Sequence, residues 1–230
     1  MPDFKVILAQ DLRQANQEQA TENRERFSSF GITVVNLISS PGAGKTSILE
    51  ATLAHLSGTM GIGVIEGDIA TTRDAARIAR YNVPVVQINT DGACHLDARL
   101  ISRAIVELPL EKLDLLFIEN VGNLVCPAEF DLGEDIKACI LSVAEGSDKP
   151  LKYPLIFREA QVLLLNKIDL LPYTDFNMEA FRQDISKLNP ELTIFPVSAR
   201  TGEGLGEWCT WLKRQVASKK KSAVPCDAIA

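Results

Sequence analysis

From residue 32 onward, short apolar runs alternate with stretches whose apolar residues recur at helical spacing. The runs ITVVNLI (32–38), GIGVIE (61–66), VPVVQI (83–88), LDLLFIE (113–119), KACILSV (137–143), AQVLLLN (160–166) and LTIFPV (192–197) are rich in Val, Ile, Leu and Phe and are predicted as strands. Several are apolar on both faces, as strands buried in a parallel sheet are. Helices are predicted over 45–56, 71–80, 95–106, 154–159, 175–188 and 204–218, with Thr71 and Asp175 as N-caps. Residues 8–28 are polar, lack Gly and Pro, and predict a solvent-rich helix closed by Gly31. The repeated strand–helix order predicts an α/β fold: a single doubly wound, mostly parallel sheet with helices on both faces. The expected parts are an N-terminal helical extension (1–31), the sheet domain (32–218) and a flexible tail (219–230). Functional residues should gather at the carboxyl ends of the strands.

The first strand runs into Ser39-Ser40-Pro41-Gly42-Ala43-Gly44-Lys45-Thr46, which fits G-x-x-x-x-G-K-[ST] with Ser39 in place of the first glycine. It stands between a predicted strand and a predicted helix, the context in which the motif cradles phosphates as in P-loop proteins. Glycines let successive N–H groups turn inward, and the following helix adds its partial positive end. Gly42, Ala43, Gly44, Lys45, Thr46 and Ser47 are therefore candidate phosphate-binding residues, with Lys45 on the β- and γ-phosphates and the Thr46 hydroxyl on Mg²⁺.

The strand 160–166 ends in Asn166-Lys167-Ile168-Asp169, an N-K-x-D sequence. Guanine offers an N1–H and an exocyclic amino group, and one carboxylate, that of Asp169, can accept from both. Adenine would leave that carboxylate unpaired. Asn166 and Lys167 would brace the loop and cover the ring, and Ser198-Ala199-Arg200 after the last strand resembles the S-A-K loop of GTPases, whose backbone N–H contacts guanine O6. The three pieces in this order predict GTP/GDP rather than ATP.

Asp68 and Glu119 end two further strands and are candidates for Mg²⁺ and for the γ-phosphate switches, with Gly122 placed to lend an N–H. No glutamine follows Gly122, so Asp68 is the candidate for orienting water, and slow intrinsic hydrolysis is expected. The chain is thus read as a GTPase with Lys45, Asp68 and Glu119 as its catalytic set.

Composition narrows the class. With 46% hydrophobic and 23% charged residues the chain reads as an ordinary globular protein, and a net charge of −6 argues against a nucleic-acid binder. The basic run Lys219–Lys221 reads as a solvated helix end. No apolar run reaches the roughly 18 residues of a membrane span, and the N-terminus lacks a secretory pattern, so a cytoplasmic protein is expected. Five cysteines do not form a disulfide framework in that compartment. Cys139 and Cys209 read as packing, and His55 as structural. Cys94-His95 and Cys126 differ: they flank the second switch, and thiolate with imidazole suits Ni²⁺ or Zn²⁺. Three ligands leave a position for water or for a second copy.

The motifs SSPGAGKT, VIEGDIATTRDAAR, NTDGACHLDA, LFIENVGNLVCPAEFDLGE, EGSDKPLKYP, LLLNKIDLLPY and SARTGEGL, in this order, resemble the HypB family of GTPases that assist nickel insertion into [NiFe]-hydrogenase. The likeness runs from about Val34 to Trp211. It implies a SIMIBI-type P-loop domain and a Ser at the position of Ser39. It implies a metal site of Cys94, His95 and Cys126, often at a GTP-promoted homodimer interface. A HypA-type nickel chaperone and the hydrogenase large-subunit precursor are the implied partners. Residues 1–33 carry neither Cys nor His, so the N-terminal nickel store of some members is not expected. Gly92 and Ala93 stand where many members have Lys. The competing readings are a GTPase serving urease or a cobalamin enzyme, a small-molecule kinase, and a GTP-binding module without turnover.

Overall fold

A computed structural model of the chain describes residues 9–68 and 73–222. Helix α1 (Ala9–Ser29) precedes strand β1 (Thr33–Ser39), followed by α2 (Lys45–Leu56), β2 (Ile62–Asp68), α3 (Arg73–Ile78) and β3 (Val85–Asn89). The second half runs α4 (Ala98–Ile105), β4 (Leu115–Glu119), α5 (Cys126–Glu129), β5 (Ile136–Ser142), α6 (Lys149–Lys152) and α7 (Pro154–Glu159). It closes with β6 (Val162–Asn166), α8 (Met178–Leu188), β7 (Thr193–Pro196) and α9 (Leu205–Ser222). Among the described residues the strands form one sheet in the order β3-β2-β4-β1-β5-β6-β7, with every pairing parallel. β1 lies between β4 and β5, where the winding reverses, and the loop at its carboxyl end opens into the crevice that such sheets use for ligands.

Both faces of the sheet are covered. Val35 and Leu37 of β1 point to the side packed by Leu49 and Leu53 of α2 and Trp208 and Leu212 of α9. Val34 points to the other side, with Phe27 of α1 and Ile101 and Ile105 of α4. Ile38 joins Ile156 and Phe157 of α7 and Phe181 of α8 on that same side. Alternation of neighbouring side chains across the sheet explains why these strands read as unbroken apolar runs.

Boundaries differ from the sequence expectation in three informative places. α4 starts at Ala98, because Asp97 caps it by accepting the Leu100 N–H at 2.7 Å, so Cys94 and His95 lie in the loop ahead of the helix. Asn177, not Asp175, caps α8, accepting the Ala180 N–H at 2.9 Å. α9 continues past 218 to Ser222, where Lys219 and Lys220 reach Asp135 and Asp114 at 2.5 Å each. The expected cap Thr71 lies outside the described residues. No helix among the described residues is long and apolar enough to cross a membrane.

Candidate functional site

The turn after β1 needs glycine at two points. Gly42 and Gly44 have φ of 79° and 95°, and a Cβ on Gly44 would stand 2.5 Å from Asn166 Nδ2. That close approach brings the loop after β1 against the loop after β6. Asn166 donates to the Ala43 carbonyl at 2.9 Å and accepts the Ala199 N–H at 3.1 Å, and Lys167 Nζ donates to the Gly42 carbonyl at 2.7 Å. Two hollows meet here. One, of 370 Å³, is lined by Ser40, Gly42, Lys45, Thr46 and Gly122; the other, of 450 Å³, by Asn166, Asp169, Ala199 and Arg200. Gly44, Ser47 and Lys167 line both.

In the second hollow Asp169 accepts the Ser198 hydroxyl at 2.7 Å, while its other oxygen lies 3.7 Å from the exposed Arg200 guanidinium. In the first, Lys45 Nζ lies 3.0 Å from Glu119 Oε1, and Thr46 Oγ1 donates to the same oxygen at 2.7 Å. Glu119 is fully buried, and its Oε2 has no hydrogen-bond partner. An unmatched buried carboxylate oxygen beside a threonine hydroxyl is a donor set that suits Mg²⁺. Asp68 ends the adjacent β2, and Gly122 packs against Pro41, whose ring and backbone an added Cβ would meet at 3.4 Å.

Sequence reasoning missed four contributors here. Glu66 is level with Glu119 on the neighbouring strand. It is buried, its Oε2 is unpartnered, and its carboxyl is pushed up to about 10, first by burial and then by Glu119. Burial and the neighbouring carboxylate thus favour the protonated form of Glu66, while Glu119 faces Lys45 and Thr46. The sequence shows an acid closing the apolar run GIGVIE but not the strand that it faces. Arg77 lines the phosphate hollow, paired with Glu50 and Asp74 at 2.5 and 2.9 Å. Glu145 accepts the Ser40 hydroxyl and the Ser142 N–H, so a segment after β5 braces the cradle. Asn120, next to Glu119, is fully buried and holds the loop that precedes α4.

The structure also brings together Cys94, His95 and Cys126, whose ligand atoms all lie within 4.8 Å of one another. Cys94 and His95 come from the β3–α4 loop and Cys126 from the first turn of α5. Cys94 Sγ stands 3.5 Å from His95 Nδ1, and the His95 ring packs on Phe130 with centroids 4.0 Å apart. Burial lowers the His95 pKa, which favours the neutral, ligating imidazole. The neighbouring Cys126 thiol, followed by burial, raises that of Cys94. Two thiols and an imidazole open to solvent suit Ni²⁺ or Zn²⁺. Cys139 and Cys209 are buried in the core, each thiol pushed up by burial, and His55 is exposed with its ring on the Ala51 carbonyl. A larger hollow, of 730 Å³, lies elsewhere, between α1 and the segment after α5, where Arg13 pairs with Glu129 and Arg24 with Asp131.

Residues 33–196 match the family described as CobW/HypB/UreG, nucleotide-binding domain. The hydrogenase maturation factor HypB of Azotobacter vinelandii is 51% identical over 217 residues, covering 94% of this chain and 72% of that protein. That of Escherichia coli K12 is 50% identical over 205 residues, covering 89% and 71%. The crystal structure of HypB from Helicobacter pylori in complex with nickel superposes with a TM-score of 0.85 at 38% identity, covering 92% of this chain and 98% of that one.

Proposed function

Because this chain belongs to the HypB proteins of the CobW/HypB/UreG family, we propose that it is a GTP-hydrolysing metallochaperone for nickel insertion into [NiFe]-hydrogenase. One observation carries the reading. The segment from Glu119 to Cys126 begins at the Lys45–Thr46 carboxylate partner and ends at a thiol of the Cys/His cluster. A change at the γ-phosphate therefore has only a few residues to cross before it reaches a metal ligand.

The residues take the following roles. Gly42, Ala43, Gly44 and Ser47 wrap the phosphates with backbone N–H groups. Lys45 neutralises charge on the β- and γ-phosphates. Thr46, Asp68 and Glu119 hold Mg²⁺, which supplies further neutralisation of the phosphate oxygens when bound. When GTP enters, Lys45 exchanges the Glu119 carboxylate for phosphate oxygens. Asn166, Lys167 and Asp169 select guanine, with the buried Ser198 fixing Asp169 and with Ala199 and Arg200 lining the base hollow. Asp68 orients the attacking water, without a switch glutamine, and turnover is correspondingly slow. Gly122, against Pro41, meets the γ-phosphate and sets the second switch.

Cys94, His95 and Cys126 hold Ni²⁺ or Zn²⁺, and the ligands still needed come from water or from a second copy in a GTP-promoted dimer. A HypA-type chaperone supplies the metal, and the hydrogenase large-subunit precursor receives it in the cytoplasm. The test is phosphate release from GTP and ATP by the wild type and by Lys45→Ala. We expect GTP to be preferred and the variant to lose about a hundredfold or more. Equal rates with ATP, or an unaffected variant, would remove the GTPase assignment.

A further inference from the structure

A row of buried amides runs from Asn120, the residue after Glu119, into β1. Asn120 Oδ1 accepts the backbone N–H of Leu96 at 3.1 Å and that of Val121 at 3.0 Å. Two N–H groups on one atom fix the orientation of the amide, since the opposite one would set donors against donors. Nδ2 accordingly donates to Asn36 Oδ1 at 3.2 Å, and Asn36 Nδ2 donates to Glu134 Oε1 at 3.1 Å. Asn120 and Asn36 are both fully buried. Asn36 lies in β1, on the strand that ends at the cradle, so the row is anchored to the centre of the sheet.

Leu96 directly follows His95. Its side chain is fully buried against Gly67, where an added Cβ would stand 2.8 Å from Leu96 Cδ1. Gly67 is the neighbour of Asp68. Leu96 is therefore held through its amide by the residue after Glu119 and through its side chain by the strand end at Asp68. A second tie, from Asn123 Nδ2 to the Cys94 carbonyl at 3.3 Å, is exposed, and water competes with it. The buried tie has no such competitor.

We infer that Asn120 is a positioning residue that transmits the nucleotide state to the metal ligands, by fastening the peptide after His95 to the segment that meets the γ-phosphate. The inference rests on the proposed response of residues 119–122 to GTP. Movement of that segment without Leu96 would leave a buried N–H without a partner, so the two segments move together. Cys126 rides on the same segment directly, and both halves of the metal cluster thus feel one displacement.

The test is a nickel titration of wild-type and Asn120→Ala protein, each loaded with GDP or with a non-hydrolysable GTP analogue. The wild-type affinities should differ between nucleotides by about fivefold or more. For Asn120→Ala the ratio should fall to within about twofold of one. A variant ratio equal to that of the wild type overturns the inference. A wild-type ratio of one overturns the nucleotide–metal coupling on which it rests, so the two failures are distinct. Should Asn120→Ala not fold, amide hydrogen exchange on the wild type decides. Peptides covering 94–98 and 119–122 should change protection together between nucleotides, and a change confined to 119–122 overturns the inference.

Discussion

Asp169 uses one carboxylate oxygen on the Ser198 hydroxyl and presents the other near Arg200 at the edge of the base hollow. Xanthine replaces the amino group of guanine with a carbonyl, so an amide at 169 matches it donor to acceptor. Asp169→Asn should therefore weaken GTP binding by about a hundredfold and favour xanthosine triphosphate, as competition binding of the two nucleotides would show. Retained guanine preference would place the base elsewhere. Glu66 carries a second prediction. Its folded pKa of about 10 lies above the ordinary 4.5, so the unfolded chain releases a proton that the fold keeps. The contribution of this group is complete below 4.5 and is lost as pH rises from there toward 10. In metal-free urea unfolding, Glu66→Gln should gain on the wild type as pH rises, by at least about 1 kcal/mol between pH 5 and pH 9. An equal difference at pH 5 and 9 would contradict the raised pKa of Glu66. At the metal cluster the sign is set by competition, because a metal must displace protons from Cys94 and Cys126 and the Cys94 thiol is held above its usual range. Apparent nickel affinity should rise at least about tenfold per pH unit between pH 6 and 8. A flat profile would remove the two thiols from the ligand set.

At the scale of elements, α1 is bound to both metal loops through two asparagines. Asn16 accepts the Ala98 N–H at 2.9 Å and donates to the Asp131 carbonyl at 2.8 Å. Asn23, buried, donates to the carbonyls of Ala98 and Leu132 at 2.8 and 3.1 Å. Asn23→Ala should cost about 1–3 kcal/mol, seen as a Tm loss of roughly 2–4 °C per kcal/mol, and should weaken nickel binding too. Unchanged melting would show that the clamp contributes nothing. None of this was legible in residues 8–28, whose polar pattern predicts solvent on most sides; an asparagine that caps distant carbonyls looks like any surface asparagine. The strands, by contrast, were legible because burial on both faces forces unbroken apolar runs. The cradle was legible because the φ values of Gly42 and Gly44 favour glycine. Cys94, His95 and Cys126 were legible as residue types and by their place near the switch. Their approach within 4.8 Å depends on α4 starting only at Ala98, which the Asp97 cap decides. Glu66 and Asn120 act through neighbours on other strands, and strand order is what one-dimensional pattern lacks.

For the whole molecule, the parallel order puts the ends of β1, β2, β4 and β6 along one edge, and with them phosphate, base and metal groups. A three-ligand cluster open to solvent is completed by a second copy if GTP closes a dimer. Size exclusion with the GTP analogue and nickel should then show twice the mass seen with GDP, and identical masses would remove nucleotide-driven dimerisation. One segment, from Glu119 to Cys126, joins the proposed nucleotide and metal sites. Coupling between two ligands is reciprocal, so either one can be used to read it. The most direct measurement is the affinity of the wild-type protein for a fluorescent non-hydrolysable GTP analogue with and without saturating Ni²⁺. A shift of at least about fivefold, with little change for the GDP counterpart, is the expected result. Identical analogue affinities in the presence and absence of nickel would show that the two sites are independent.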